Sequence, residues 1–285
     1  MVAWLVPRPQ SSTAEREVSS RPQLGAVGII PARLQSTRLP NKPLQDLGGA
    51  PLIVRVLERV RVSTAFRDVW VATDSDEVVH AVEKAGGQAI LTSPDHTSGL
   101  DRVAEAARLL SGKSSNMPRG MFEGRVLPDP DAVFVNIQGD EPFVSPEGLD
   151  HLVRLMERPD VAMASLAAPF LDRDEVEDPN RVKVVIDRES RALYFSRAPI
   201  PSGYGPAAIP LLHIGVYAYR LRTLFELAAL PPAPPEAAER LEQLRALWNG
   251  IQIHVAVGDY QSTGIDTPDD LARARDQWSK RRSGA

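Results

Sequence analysis

Residues 24–44 read LGAVGIIPARLQSTRLPNKPL. The apolar first part of this stretch predicts a buried strand that ends near Pro31, and its polar, basic second part predicts a loop. Similar apolar strand patterns follow in FRDVWVATDS, QAILTS and AVFVNIQGD, separated by the helical patterns PLIVRVLERVRVS, SDEVVHAVEKAGG and DRVAEAARLL. This alternation predicts an α/β fold with a mostly parallel central sheet and right-handed crossovers.

Three of these predicted strands end in short segments that contain polar side chains. The segments are Pro31-Ala32-Arg33, Ala72-Thr73-Asp74 and Gln138-Gly139-Asp140-Glu141. Ligands of parallel sheets bind beyond the carboxyl ends of the strands. We therefore expect these three strand ends to meet at one polar cleft.

The loop after the first strand carries three cations, Arg33, Arg38 and Lys42, with Ser36 among the hydrogen-bonding residues between them. Guanidinium groups grip phosphate oxygens bidentately and lysine adds a point charge. The pattern predicts a triphosphate site, and the alternative is a solvated basic loop. Neither GxxxxGK[ST] nor GxGxxG occurs in the sequence, which argues against a P-loop enzyme and a dinucleotide-binding dehydrogenase.

Two aspartates are candidate metal ligands. Asp140 follows a buried strand, and Asp266 precedes a predicted helix with Thr267 as N-cap and Pro268 at its first position. Two carboxylates from distant segments can hold Mg²⁺ against a triphosphate, because this ion prefers oxygen ligands. The alternative for Asp266 is an ordinary aspartate at a helix start.

The second half of the chain has a different pattern. VKVVIDRESRALYFSRAPIP and LLHIGVYAYR predict antiparallel strands, and AAERLEQLRALW predicts a helix. We expect residues 1–24 to be a flexible extension and residues 25–285 to form one domain, with a smaller antiparallel subdomain at roughly 180–250. Gly, Pro and Ser predict a surface loop at 111–130.

Composition excludes several classes of protein. The net charge of −4 argues against a nucleic-acid partner, and the sequence holds no cysteine for disulfides, zinc–thiolate sites or iron–sulfur clusters. No apolar run reaches the roughly 20 residues that span a bilayer. The short apolar N-terminus lacks a basic region before it, which makes it a poor signal peptide. We expect a cytoplasmic protein with no membrane partner.

A series of motifs resembles one enzyme family. In order, the sequence contains PARLQSTRLPNKPL, VATD, HTSGLDRVAEA, VNIQGDEP, PNRVKVV, LYFSRAPIP, HIGVYAYR, LEQLRALW and GIDTPDDL. These resemble the 3-deoxy-manno-octulosonate (Kdo) cytidylyltransferases, or CMP-Kdo synthetases, from about residue 25 to 278. The first motif also occurs, loosely, in CMP-sialate synthetases, whereas FSRA, HxGxYxYR and LEQLR are much more specific.

The resemblance implies a nucleotide-diphospho-sugar transferase fold of the glycosyltransferase-A type, and a homodimer that uses the smaller subdomain. It implies transfer of CMP from CTP to the anomeric hydroxyl of Kdo, for lipopolysaccharide biosynthesis, with Mg²⁺ on Asp140 and Asp266. Arg33, Lys42, Asp140 and Asp266 would be catalytic. The implied CTP-binding residues are Pro31, Ala32, Arg33, Ser36, Arg38, Lys42 and Asp74. The implied sugar-binding residues are Arg102, Gln138, Arg197, His213, Tyr217, Glu242 and Gln243.

Several points stay open at this level. Arg197 or Arg102 would bind the substrate carboxylate. Solvation or structural packing is the alternative for Arg102, Tyr217 and His213, and a solvated helix face is the alternative for Glu242 and Gln243. The family usually has threonine at the position of Leu100, and the loop at 111–130 is longer than usual. The alternative functions are transfer to another acid sugar, such as sialic acid or an amino-substituted Kdo analogue, and nucleotide binding without catalysis.

Overall fold

The computed structural model describes residues 25–36, 38–96, 98–112, 129–172, 174–202, 210–260 and 262–283. The predicted flexible extension at 1–24 lies outside these residues, and so does most of the predicted loop at 111–130. None of the helices in the described ranges combines the length and apolar character that a membrane crossing requires.

The strands of the described residues form one mixed sheet with the order β3-β2-β1-β4-β8-β5-β9, and β6 and β7 form a hairpin at its side. The strands are β1 (Ala26–Ala32), β2 (Phe66–Thr73), β3 (Gln88–Leu91), β4 (Val133–Asn136), β5 (Met163–Pro169), β6 (Lys183–Ile186), β7 (Ala192–Ser196), β8 (Leu211–Arg220) and β9 (Ile253–Val257). Along the main order β8 alone runs antiparallel, to both β4 and β5. The predicted α/β class with a mostly parallel sheet is confirmed.

Helices cover both faces of the sheet. They are α1 (Leu52–Val60), α2 (Asp76–Lys84), α3 (Gly99–Leu110), α4 (Pro146–Leu155), α5 (Leu221–Ala229), α6 (Pro234–Glu239), α7 (Gln243–Trp248) and α8 (Pro268–Ser283), with 3-10 turns at Lys42–Leu44 and Asp174–Glu177. Helices α1, α2, α4 and α8 contribute to one apolar core, and α3, α5 and α7 to another. Strand β1 is buried on both faces, because Ile29 and Ile30 point into different cores.

Two details of the second half differ from the sequence-based expectation. The predicted helix over AAERLEQLRALW is two helices, because Arg240 adopts a left-handed conformation (φ 55°) between α6 and α7. The break is stabilised by a buried ion pair across it, Arg245 Nη2 to Glu236 Oε1 at 2.5 Å. Strand β8, from the region predicted to form a smaller subdomain at roughly 180–250, lies inside the main sheet, and the subdomain stays a prediction. Its part in dimerisation stays a prediction.

The C-terminal helix α8 is anchored to the turn before α1. A Cβ atom added at Gly48, whose φ is +64°, would lie 2.3 Å from the Trp278 ring. The guanidinium of Arg55 lies 4.7 Å from the centre of the same ring, and Arg275 Nε donates to the Asp46 carbonyl at 3.0 Å. This contact matters for the site, because Asp266 lies just before the start of α8.

We expect Gly48→Ala to destabilise the protein more than Gly49→Ala. Both glycines have a positive φ, so both variants incur a backbone cost of about 1 kcal/mol. Only Gly48 contacts Trp278, whereas an added Cβ at Gly49 meets nothing within 4 Å. The overlap should cost a further 1–3 kcal/mol or so. Urea unfolding of the two variants measures the difference, and equal losses would show that the contact with Trp278 is not tight.

Candidate active site

The loop after β1 is fixed by an aspartate at the end of β2. The backbone amide of Leu34 donates to Asp74 Oδ1 at 3.1 Å, and Arg102 Nη2 donates to Asp74 Oδ2 at 2.8 Å. Arg102 is 3% exposed and also donates to Thr92 Oγ1 at 2.6 Å. Asp74 and Arg102 therefore hold the loop in place through protein contacts.

The loop borders a polar cleft of about 400 Å³ at the carboxyl ends of β1 and β4. Its described wall is formed by Pro31, Ala32, Arg33, Ser36, Arg38, Lys42, Pro43, His96, Ser98, Gly99, Arg102, Gln138, Gly139, Asp140, Glu242 and Asp266. The wall includes every predicted CTP-binding residue except Asp74, which lines a cavity of about 590 Å³ beside the loop that shares Arg33, Ser36 and His96 with the cleft. The predicted meeting of strand ends is thus observed for β1 and β4.

Lys42 joins the two candidate metal ligands. Its Nζ lies 2.6 Å from Asp140 Oδ2 and 2.9 Å from Asp266 Oδ1, and Arg38 Nη2 lies 3.1 Å from Asp266 Oδ2. Burial alone would lower the pKa of Lys42, but the charges and hydrogen bonds of Asp140 and Asp266 outweigh it and raise the pKa. The ammonium group is therefore charged and holds two carboxylates together.

Other contacts bring the loops of Asp140 and Asp266 together. The Ile265 amide donates to the Asp140 carbonyl at 3.0 Å, and Ser262 Oγ donates to Glu141 Oε2 at 2.5 Å. Gly139 allows β1 to approach from the other side, because a Cβ there would lie 2.6 Å from the Pro31 carbonyl oxygen. The cleft is thus a close junction of three chain segments.

The donor set of this junction suits Mg²⁺. Within the described ranges, no group of three or more ligating side chains occurs. Magnesium sites of enzymes that bind phosphates commonly use one or two carboxylates, with water and substrate oxygens as the other ligands. Asp140 and Asp266 meet this requirement, because both already contact one cationic group.

A further cavity of about 300 Å³ adjoins the cleft, and Gly99, Gln138 and Glu242 line both. We call it the side cavity. Its other described wall residues are Leu100, Asn136, Tyr217, Tyr219, Leu227, Arg240, Leu241 and Gln243. Burial raises the pKa of Glu242 and raises that of Tyr217 well above its usual value. Four of the predicted sugar-binding residues, Gln138, Tyr217, Glu242 and Gln243, line this cavity.

Two predicted sugar-binding residues are placed elsewhere. Arg197 donates from Nε to the Glu239 carbonyl at 2.8 Å and from Nη1 to the Pro179 carbonyl at 2.9 Å. His213 is buried behind Tyr217, with its Nε2 2.9 Å from Ser165 Oγ, and burial lowers its pKa to about 3. Neither residue lines the cleft or the side cavity. Arg197 and the Nε2 atom of His213 contact protein groups, and the sugar contacts of the two residues stay a prediction.

Sequence reasoning missed several residues of the two cavities. His96 lines the cleft and pairs with Glu105 at 2.5 Å between Nε2 and Oε2. Ser98 is the N-cap of α3 and lines the same cleft. Asn136 and Tyr219 line the side cavity. The motifs HTSGLDR, VNIQGDEP and HIGVYAYR contain all four, and their position at strand and helix ends was the available signal.

Comparison with known proteins places these features in a class. The sequence model of the cytidylyltransferase family matches residues 27–253. A curated 3-deoxy-manno-octulosonate cytidylyltransferase from Polynucleobacter asymbioticus is 47% identical over 87% of this chain and 93% of its own length. One of the same name from an Anaeromyxobacter strain is 50% identical, over 87% of this chain and 94% of its own length. The chain belongs to the 3-deoxy-manno-octulosonate cytidylyltransferases, and the resemblance inferred from its motifs is confirmed.

Solved structures agree with this assignment. A CMP:2-keto-3-deoxy-manno-octonic acid synthetase complexed with CTP is 38% identical, with a TM-score of 0.79 over 90% of this chain and 99% of that one. HddC from Yersinia pseudotuberculosis, complexed with GMP-PN, is 14% identical with a TM-score of 0.59, over 89% of this chain and 99% of its own. The second match shows the fold alone. The predicted nucleotide-sugar transferase fold is confirmed.

We expect Glu141 to make stability depend on pH near neutrality. Burial raises its pKa to about 7, a rise that the Ser262 hydrogen bond opposes and the charges of Asp140 and Asp266 reinforce. The folded state therefore retains a proton that the unfolded chain releases near pH 4.5, so stability falls as pH rises from there through about 7. Glu141→Gln mimics the protonated form. The free energy of unfolding of this variant, relative to that of the parent, should therefore rise by about 2 kcal/mol from pH 5 to pH 8.

Urea unfolding in metal-free buffer at both pH values measures this gain. Glu147→Gln is the matched control, because Glu147 is an exposed glutamate in the first turn of α4. A difference between Glu141→Gln and the parent that stays constant with pH would contradict the raised pKa.

Proposed function

We propose that this protein transfers CMP from CTP to the anomeric hydroxyl of Kdo, releasing pyrophosphate, and that CMP-Kdo serves lipopolysaccharide biosynthesis. The observation that carries the proposal is the meeting of Lys42, Asp140 and Asp266 in a cleft that adjoins a second polar cavity. The relatives that bear this activity in their names are 47% and 50% identical to the chain. We also propose a magnesium-dependent, cytoplasmic homodimer.

The loop cations would bind the triphosphate. Arg38 is 63% exposed on its side chain and lies on the cleft wall with Arg33 and Lys42. Phosphoryl-group transfer depends mainly on positioning and on neutralising charge, which these cations supply. The Asp74–Arg102 pair keeps the loop backbone in position and so lowers the ordering cost of binding.

Asp140 and Asp266 would hold Mg²⁺ at the junction of the cleft. When bound, the ion supplies Lewis-acid neutralisation of phosphate charge. Lys42 then has a second role, because its ammonium group keeps the two carboxylates close and limits their repulsion before substrate arrives.

The side cavity would hold the sugar. Gln138 lies on the walls of both cavities, and its Nε2 donates to the Gly215 carbonyl at 3.0 Å, which fixes the amide group. An acid sugar in the side cavity would direct its anomeric hydroxyl toward the cleft. The anomeric oxygen then bonds to the α-phosphorus, the bond to the bridging oxygen breaks, pyrophosphate leaves, and the hydroxyl proton passes to water.

Pyrophosphate release tests this function directly. With purified protein, we expect release that requires CTP, Kdo and Mg²⁺ together, and much slower release with ATP, UTP or sialate. Release with another acid sugar would change the substrate and keep the reaction. A folded protein that binds CTP but releases no pyrophosphate with any acid sugar would favour nucleotide binding without catalysis.

We expect Asp140→Asn to lower kcat at least about 100-fold, because one carboxylate of the proposed metal pair is lost. Titration of the free protein with Mn²⁺ should show metal affinity weakened at least about tenfold. Asp276→Asn is the matched control, since Asp276 is exposed and pairs only with Lys280 among the described residues. Near-normal kcat in a folded Asp140→Asn protein would remove Asp140 from the mechanism.

A further inference from the structure

A buried tyrosine fixes the chain segment that leads to Asp266. Residues 258–267 connect β9 to α8, and we call them the connecting segment. Within it, Tyr260 is 6% exposed, and its hydroxyl oxygen lies 2.8 Å from Nδ1 of His151 on α4. The two rings also pack edge to face, with their centres 5.9 Å apart. Tyr260 therefore attaches the connecting segment to α4.

The Tyr260 ring fits closely between α4 and its own segment. A Cβ atom added at Gly148, in the first turn of α4, would lie 3.1 Å from Cδ1 of the ring, and one added at Gly258 would lie 2.6 Å from its Cζ. The Gly258 amide donates to the Ala167 carbonyl at 3.1 Å, which ties the start of the segment to β5. Because the ring is closely packed as well as hydrogen-bonded, it has little freedom to shift relative to α4.

Helix α4 is joined directly to the other candidate metal ligand. Asp140 follows β4, and Ser145, at the end of the same loop, is the N-cap of α4. On the opposite side of this loop, the Ile265 amide of the connecting segment donates to the Asp140 carbonyl at 3.0 Å. Asp140 and Asp266 are thus tied together twice, once through Ile265 and once through α4 and Tyr260.

The separation of the two carboxylates decides whether one ion can bind both. Magnesium demands nearly octahedral geometry, with its oxygen ligands at about 2.0–2.1 Å. Lys42 contacts both carboxylates through a flexible side chain and a point charge, so it does not fix their separation. Side chains locked by packing and by hydrogen bonds do hold ligands in place. Neither Tyr260 nor His151 lines the cleft or the side cavity, so both act through Asp266.

We propose that Tyr260 is a positioning residue, which through its hydrogen bond with His151 sets the place of Asp266 relative to Asp140. The proposal rests on the proposed magnesium site and deepens it. It predicts that loss of the Tyr260 hydroxyl weakens metal binding, although this hydroxyl touches neither the metal nor the substrates. The effect on turnover should be largest where the metal is limiting.

Tyr260→Phe tests this role, because it removes the hydroxyl and retains the ring. Titration of the free protein with Mn²⁺ should show an affinity weakened about tenfold. At limiting Mg²⁺, kcat should fall by a similar factor, and saturating Mg²⁺ should restore most of it. KM for Kdo should change by less than about twofold, because the sugar does not contact this residue.

Ser63→Ala is the matched control. Ser63 is 7% exposed, and its Oγ donates at 2.6 Å to Oδ1 of Asp150, the neighbour of His151 on α4. This variant also removes one buried hydroxyl that is bonded to α4, but Ser63 follows α1 and does not belong to the connecting segment. The urea concentration at the midpoint of unfolding should fall about as much as in Tyr260→Phe, with Mn²⁺ affinity unchanged.

Variants of His151 give a second, independent arm. His151→Asn retains a hydrogen-bonding atom near the position of Nδ1, whereas His151→Leu has none. Mn²⁺ affinity should stay close to that of the parent in the first variant and fall about tenfold in the second. Adding Tyr260→Phe to His151→Leu should cause little further loss, because both changes break the same bond.

The outcomes separate the levels of the argument. A parent protein that binds no Mn²⁺ defeats the proposed metal site, and the role of Tyr260 with it. A parent that binds Mn²⁺ but releases no pyrophosphate with CTP, Kdo and Mg²⁺ defeats the proposed function, and the Mn²⁺ titrations still decide the role of Tyr260.

Two results overturn the role of Tyr260 alone. One is a parent that binds Mn²⁺ no more tightly than Tyr260→Phe and His151→Leu do. The other is an equal loss of Mn²⁺ affinity in Ser63→Ala, since α4 as a whole would then be responsible. If Tyr260→Phe does not fold, the comparison of His151→Asn with His151→Leu decides the question.

Discussion

The ion pairs of Lys42 are the interaction on which the site depends. One ammonium group contacts Asp140 and Asp266, which lie 98 and 224 residues further along the chain. Two carboxylates this close would repel each other in a partly buried site without a cation between them. Several features of the fold position these groups. Asp140 follows β4, and Asp266 precedes α8, which packs on Gly48. Gly139 allows the ends of β1 and β4 to approach each other closely.

The reversal of strand direction at β8 explains why the site has two adjoining cavities. Strands β1 and β4 are parallel, and the loops at their carboxyl ends form the cleft. Strand β8 pairs with β4 in the opposite direction, with Asn136 opposite Tyr217. The wall of the side cavity therefore includes side chains of β8 and of the end of β4, together with residues of α3, α5 and the segment from Arg240 to Gln243.

The sequence predicted the parts of the site that depend on local pattern. Arg33, Arg38, Lys42 and Asp140 follow buried strands, and the direction of a parallel sheet is enough to bring them together. Arg197 and His213 could not be placed in this way, because their orientation depends on which carbonyls and hydroxyls the second half of the chain offers. The split of α6 from α7 was equally hidden, since the buried Arg245–Glu236 pair is a tertiary contact. The positions of β5 and β8 within the sheet could not be predicted from local sequence either, because they depend on how all the strands pair.

Charge and burial divide the polar residues in and around the site into three groups. The guanidinium groups of Arg102 and Arg197 donate to protein acceptors. Arg102 lines the cleft, whereas Arg197 lines neither the cleft nor the side cavity. Arg33 and Arg38 are exposed on the loop, where a highly charged ligand loses least hydration on binding. Asn136 and Gln243 are neutral and buried, where an unpaired polar atom is costly. Exposed charge is therefore concentrated on the loop, and buried neutral polar groups lie on the wall of the side cavity.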